Sequence, residues 1–226
     1  MTGAPELTID PVLEPRKIRI GLVWGLGLPS CPPKTGPSAS LAALLGKVAA
    51  AGEGFLAPER KAGVRNMLRF GAYKPAGRSK PSSEYLLAAA LAGDFPIVNG
   101  PVDANNEVSL RWGYPASVFD LAKTGPILQL SRGRQGESFV FNPSGQKIDL
   151  EDLIVVRRRV GDAWEACGNP VKDAMATKVF ETARDVAGVI YAPVTDPKAD
   201  LEACAERFAR ILGEDCGARE AGWRIV

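Results

Sequence analysis

The chain contains no histidine in 226 residues. That absence removes the Ser-His and Cys-His triads, the imidazole general base and every histidine-based metal site together. Cysteine is scarce: Cys31, Cys167, Cys204 and Cys216 are scattered, with no CxxC pair. They read as reduced thiols rather than as a disulfide frame or a zinc site, with Cys204 on an apolar helical face. The remaining Asp and Glu are dispersed, so neither a metal nor another cofactor is expected. No apolar run approaches the ~20 residues that span a bilayer. The opening MTGAPELTIDPVLEP lacks a basic segment followed by an apolar one, so a cytoplasmic chain without a membrane partner is expected. An excess of one charge is also missing, since 28 basic against 26 acidic residues leave +2. Any nucleic-acid contact must therefore come from a local basic patch and not from a global field. Finally, Gly25-Leu26-Gly27 stands in a breaker-rich stretch with neither GxGxxG nor GxxxxGK[ST], which leaves a phosphate cradle with little support.

Hydrophobic residues make up 46% of the chain, enough for a core, and the length suits one large domain. Residues 1–15 are rich in proline and polar groups and read as an arm. Lys17 to Trp24 alternates as a first strand. Four helices are expected next. The first runs from a Ser38 cap to Ala51, and the second from near Pro58 through Phe70. The third opens on a Ser82 cap candidate just after Pro81, and the fourth runs from an Asp103 cap to Trp112. From Pro126 the texture changes to short β runs at Ile127–Leu130, Ser138–Phe141, Leu153–Arg158, Trp164–Cys167 and Val186–Tyr191. Asp200 to Leu212 then carries Leu201, Cys204, Phe208, Ile211 and Leu212 on one helical stripe. Helices first, clustered strands after and a closing helix predict an α+β fold with a mainly antiparallel sheet and packed helices.

The segment from Asn99 to Pro115 follows the pattern N-x-P-V-D-x-x-N-x-V-S-L-R-x-G-x-P. Upstream lies a PSSE helix start behind Lys74, Arg78 and Lys80. Downstream come Phe119-Asp120, Gly125-Pro126-Ile127, Gly136-Glu137 and a strand at Ile154–Val156. Taken in order, these features resemble the tRNA-binding B-three/B-four module, the editing domain of the phenylalanyl-tRNA synthetase β subunit, and its free-standing relatives. The resemblance covers roughly residues 60–193. It implies an editing-domain-like core over residues 58–195, with residues 1–57 (arm, strand and helix) packed on it and residues 196–226 as a closing helix and tail. It also implies a partner, the aminoacylated 3′ end of tRNA, and an activity in translation fidelity: hydrolysis of a mischarged aminoacyl ester by an aminoacyl-tRNA deacylase. Aminoacylation by this chain alone is not expected, because no class II synthetase catalytic pattern is present.

The chain departs from that family where a histidine precedes the Phe-Asp pair, since Ser117-Val118 stand here. The late turn, Gly168 to Lys178, holds Asp173 as its one carboxylate and ends in Thr177-Lys178. The resemblance makes Asp173, Lys172, Lys178 and Thr177 the catalytic candidates, with the alternative that they form a solvated loop. Asn99, Asn105, Ser109 and Arg111 are the substrate-binding candidates, and each could instead tie its helix to neighbouring loops. Lys74, Arg78 and Lys80, with Arg157 and Arg159 of the Arg157–Arg159 run, are the candidates for tRNA phosphates. The arginine run could equally solvate an edge strand. Two other functions stay open: a non-catalytic module that binds tRNA, an amino acid or a protein, and a small-molecule enzyme using the same pocket.

Overall fold

In the computed structural model, which describes residues 3–13 and 18–226, two four-stranded sheets share one apolar core. The chain starts with β1 (Glu6–Ile9) and β2 (Ile18–Leu26). Helices α1 (Ala39–Ala51), α2 (Pro58–Leu68), α3 (Ser82–Leu91) and α4 (Gly100–Trp112) follow. Next come β3 (Ala116–Asp120), the single turn α5 (Leu121–Thr124), β4 (Ile127–Arg132), β5 (Ser138–Val140) and β6 (Lys147–Asp149). The last elements are β7 (Ile154–Val160), β8 (Ala163–Gly168), β9 (Val186–Pro193), α6 (Lys198–Glu214) and β10 (Glu220–Ile225).

One sheet has the order β10-β2-β9-β3 and is antiparallel throughout. The other runs β1-β4-β7-β8, antiparallel except for the parallel β1–β4 pair. The fold is thus α+β with mainly antiparallel sheets and packed helices. Residues 1–57 do not merely pack against the core, because β2 is an inner strand between β10 and β9. The arm contributes β1, and the tail contributes β10. Lys17, expected to open the first strand, lies outside the described residues.

Helix α6 lies against the first sheet, where glycines make the space. A Cβ on Gly188 would sit 2.5 Å from the Phe208 ring, and one on Gly25 would sit 3.1 Å from Leu212. Leu201, Cys204, Phe208 and Leu212 are all fully buried there, as the apolar stripe of α6 requires. Local signals set several boundaries. Ser38 caps α1 by accepting from the Leu41 amide at 3.2 Å, and Pro58 opens α2. Gly113 ends α4 with φ 75°, a left-handed turn that a side chain would strain. Two caps differ from expectation. Helix α4 begins at Gly100 on Asn99, three residues ahead of Asp103, and α3 starts directly after Pro81 with Ser82 as its first residue. Among the described residues no single helix is long and apolar enough to cross a membrane.

The arginine run on β7 is divided by the pleat. Arg157 is 1% exposed, and its guanidinium meets both oxygens of Glu137 at 2.6 and 2.8 Å and the Arg132 carbonyl at 2.8 Å. Burial works to raise the pKa of Glu137, but the Arg157 hydrogen bonds and the Arg134 amide hold it below the usual carboxylate range. Arg158 donates to the Lys123 carbonyl, and Arg159 is exposed beside Asp162. Arg157 therefore faces inward and presents no charge to a phosphate. Removing one partner of a buried, forked pair strands the other. Arg157→Ala should cost about 3 kcal/mol or more in denaturant unfolding, while Arg159→Ala should cost less than ~0.5 kcal/mol. Equal losses would show that the pair carries no such weight.

Candidate functional site

The site begins with the cap of α4. Asn99 is extended, with φ −158°, and its Oδ1 accepts from the Val102 amide at 3.1 Å. Its Nδ2 donates to the Val179 carbonyl at 3.1 Å, so the same side chain ties the start of α4 to the late turn. Asp103, one turn on, accepts from the Val98 amide at 2.8 Å and closes the cap from the other side. Burial raises the pKa of Asp103, opposed by those backbone hydrogen bonds and by Lys34.

The late turn is built by side chain–backbone bonds. Asn169 Oδ1 accepts from the amides of Val171 and Lys172 at 2.8 and 2.9 Å, an Asx turn that reverses the chain after β8. The Thr177 hydroxyl is fully buried within 3.1 Å of the Cys167 carbonyl and 3.3 Å of the Ala174 carbonyl, where it fastens the far end of the turn. Between them Asp173 Oδ2 accepts from the Val118 amide of β3 at 3.3 Å. Its Oδ1 is enclosed without a partner. A Cβ on Gly168 would come within 2.5 Å of that oxygen and of the Phe119 ring, so glycine is what lets the carboxyl approach β8.

These two constructions and the loop around Cys31 and Pro33 enclose a cavity of about 480 Å³. Asn99, Asn105, Lys172, Asp173 and Lys178 all line it, although nearly eighty residues separate the first from the last. The remaining wall is largely apolar, with Val102, Val118, Phe141, Met175, Val179 and Phe180. Asn105 donates to the Ala116 carbonyl at 3.4 Å, and its Oδ1 is enclosed without a partner. Lys172 Nζ lies 4.5 Å from the Phe141 ring centre and 5.5 Å from that of Tyr85. Asn106, Phe141 and Phe180 are lining residues that the sequence reading missed. Phe180 carried no periodic signal; it stands 46% exposed at the rim beneath Lys123, whose Nζ is 4.5 Å from the ring.

The charges are unevenly solvated. Desolvation pushes the Asp173 carboxyl up to about 7, against the Ser117 hydroxyl, the Val118 amide and the Lys178 charge, which pull it down. Desolvation, and then the charge of Lys178, lowers the pKa of Lys172. The arrangement offers a carboxyl that exchanges a proton near neutrality beside two cationic side chains, in a largely apolar enclosure. No group of three or more Cys, Asp or Glu residues among those described is placed to hold a metal ion.

Other expected site residues lie elsewhere. Ser109 is fully buried and donates to the Tyr114 carbonyl at 2.7 Å, which shapes the exit of α4 rather than the cavity. Arg111 pairs with Glu107 at 3.2 Å and lines a different groove. Thr177 fastens the turn from beneath the cavity wall. Lys74 and Arg78 are exposed around a short turn, while Lys80 Nζ lies 4.5 Å from the Tyr85 ring that Lys172 also approaches. That cluster thus adjoins the Lys172 side of the cavity.

No protein-family model matches the chain, and no curated protein matches it. A solved structure similar to it is an N-terminal fragment of the phenylalanyl-tRNA synthetase β subunit from Pyrococcus horikoshii, with a TM-score of 0.48 and 10% sequence identity. The alignment covers 100% of this chain and 52% of that one, so this chain spans about half the length of the fragment.

The displaced carboxyl has a consequence for stability. Asp173 binds its proton more tightly folded than unfolded, so between about pH 4 and pH 7 the folded state holds the extra proton and stability falls as pH rises. Above about pH 7 the charged carboxylate is a constant burden of ~1.4 kcal/mol for each tenfold difference in proton affinity. Asp173→Asn should therefore raise the unfolding midpoint at pH 8 relative to wild type and leave the two close together at pH 4. A shift of the same size at both pH values would contradict this assignment.

Proposed function

We propose that the cavity receives the aminoacylated 3′ end of a tRNA and hydrolyses the ester of a mischarged amino acid. The observation that carries this reading is the meeting of Asn99, Asn105, Lys172, Asp173 and Lys178 on one cavity. It is supported by the ordered motif from Asn99 to Pro115 and the features that follow it. The apolar wall takes the amino acid side chain. Lys172 and Lys178 face the ester oxygen and the terminal phosphate. Asp173 takes a proton from a water that attacks the carbonyl carbon. The bond between that carbon and the ribose oxygen breaks, and the proton passes to the ribose oxygen. Free amino acid and a tRNA with its terminal hydroxyl restored are released. In a chain without histidine, a carboxyl near pH 7 is the group suited to both transfers.

A second reading, a binding module without hydrolysis, is favoured by the enclosure of Asp173 Oδ1 against β8 and the hold of Val118 on Oδ2. The two separate in deacylation of a panel of mischarged tRNAs. Under the first reading at least one member is hydrolysed. Asp173→Ala and Lys178→Ala should each slow that reaction by ~10²–10³-fold, the cost of losing one preorganised group at a reacting centre. Circular dichroism should stay near wild type, and tRNA affinity should fall far less than the rate, by no more than one lost phosphate contact in Lys178→Ala. Wild-type rates in both variants would remove these residues from the chemistry. Tight binding of the panel without turnover would establish the second reading.

A further inference from the structure

The cavity does not use the cations at the far end of α4. Ser40, Ala43, Leu44 and Lys47 recur at i, i+3, i+4 and i+7, and so share one face of α1. Ala203, Glu206, Arg207 and Arg210 repeat that spacing on α6. The two stripes, with Arg111 and Trp112 from the last turn of α4, line a groove of about 570 Å³. The small side chains Ala43 and Ala203 leave room between the walls.

Beneath this groove lies Glu107, 2% exposed. Its Oε1 accepts from Arg111 at 3.2 Å and from Arg207 at 2.9 Å, and its Oε2 accepts from Ser40 at 2.8 Å. One carboxylate set against two guanidinium groups leaves a positive charge uncompensated, and holds both forks in fixed positions. Arg207 uses Nε and Nη2 in that pair, so its Nη1 is left over. Lys47 and Arg210 enter no ion pair among the described residues. Four cations less Glu107 and Glu206 give the groove +2, as much as the net charge of the whole chain. On a nearly neutral protein the groove is thus a local positive patch. Planar guanidinium forks, prepositioned by a buried acid, fit phosphate oxygens better than scattered lysines do.

We propose that this groove binds the phosphodiester backbone of RNA, with phosphates between Lys47 on one wall and Arg210 on the other and Arg207 at the base. The choice of RNA among polyanions rests on the tRNA reading proposed above. Helix α4 runs from the cavity at Asn99 to the groove at Arg111, twelve residues or ~18 Å, so one RNA can occupy both.

The test is the affinity of uncharged tRNA, read by fluorescence anisotropy across a salt series. The double variant Lys47→Gln/Arg210→Gln breaks no ion pair and should keep the wild-type melting temperature. Its Kd should rise at least about tenfold near 0.1 M salt, and the slope of log affinity against log salt should become shallower by about 2. Lys61→Gln/Lys147→Gln makes the same change in net charge at positions that neither line the groove nor enter an ion pair among the described residues, and should bind almost as wild type does. Equal losses in the two double variants, an unchanged slope, or a wild-type chain that binds no tRNA would each overturn the proposal. If the chain binds uncharged tRNA through these residues but hydrolyses no ester, the deacylase reading fails and the groove stands. If it hydrolyses the ester while the groove variant binds as wild type does, only the groove fails.

Discussion

Asn99 uses the two ends of one amide on two distant pieces of chain. The acceptor end completes the first turn of α4, whose early amides have no partner inside the helix, and the donor end holds the Val179 carbonyl. A helix start and a turn eighty residues later are thereby held within one side chain's reach. The rest of the cavity depends on that pinning. Val102 and Asn105 project from the helix, while Lys172, Asp173 and Lys178 come from the turn. A side chain unable both to donate and to accept could satisfy only one of the two segments. The other would keep an unpaired buried backbone group, at ~1–3 kcal/mol.

The electrostatics follow from the same closure. Bringing the turn against β3 and β8 removes water from Asp173, and its carboxyl responds by holding its proton to about pH 7. The carboxyl could be relieved by hydrogen bonds, but only Oδ2 receives a backbone amide, and that at 3.3 Å. Compare Glu137, which is also partly desolvated yet titrates low because Arg157 reaches both its oxygens. Burial acts in the same direction on both acids. What decides the outcome is whether a full positive charge stands in contact. The unshared carboxyl lines the cavity and the shared one fastens the core, a division that suits a reactive group and a structural one.

Elements with local causes were readable in the sequence, and those with distant causes were not. Ser38, Pro58 and Gly113 act within a few residues of themselves, so the boundaries they set could be placed directly. The strands β1, β3 and β10 were missed because they are defined by partners far along the chain: Glu6 pairs with Ile127, Ala116 with Ile190 and Trp223 with Val23. Asp103 looked like the cap of α4 because it follows Pro101-Val102. The helix instead starts on Asn99, where the hydrogen bond to Val179 adds a tertiary reason that no local rule contains. Arg157-Arg158-Arg159 looked like a phosphate-binding or solvated run, and only the inward partners Glu137 and the Arg132 carbonyl, both distant in sequence, account for the burial of the first of the three. For the cavity, the sequence held the polar residues of both halves but not the aromatic rim, since nothing near Phe141 or Phe180 marks them as facing a pocket.

The division of the Asn99–Arg111 polar set has a simpler origin, which helical geometry alone supplies. At ~100° per residue, Asn105 and Arg111 are separated by six steps, which places their side chains about 120° apart around α4. Along the continuous α4 this turns Asn105 to the cavity and Arg111 to the groove, whereas Asn99 reaches the same cavity as Asn105 from the extended cap position that precedes the helix. Ser109, four residues beyond Asn105, instead turns to the Tyr114 carbonyl and fixes the exit turn that Gly113 permits. The motif is therefore read in four surroundings. Asn99 and Asn105 look to the cavity, Glu107 and Arg111 to the α1–α6 groove, Val108 to the core shared by the sheets, and Leu110 to the separate apolar cluster formed with α1 and α3. A segment that must satisfy four surroundings at once has few positions free to drift. That constraint accounts for so dense a run of specific residues within one thirteen-residue helix.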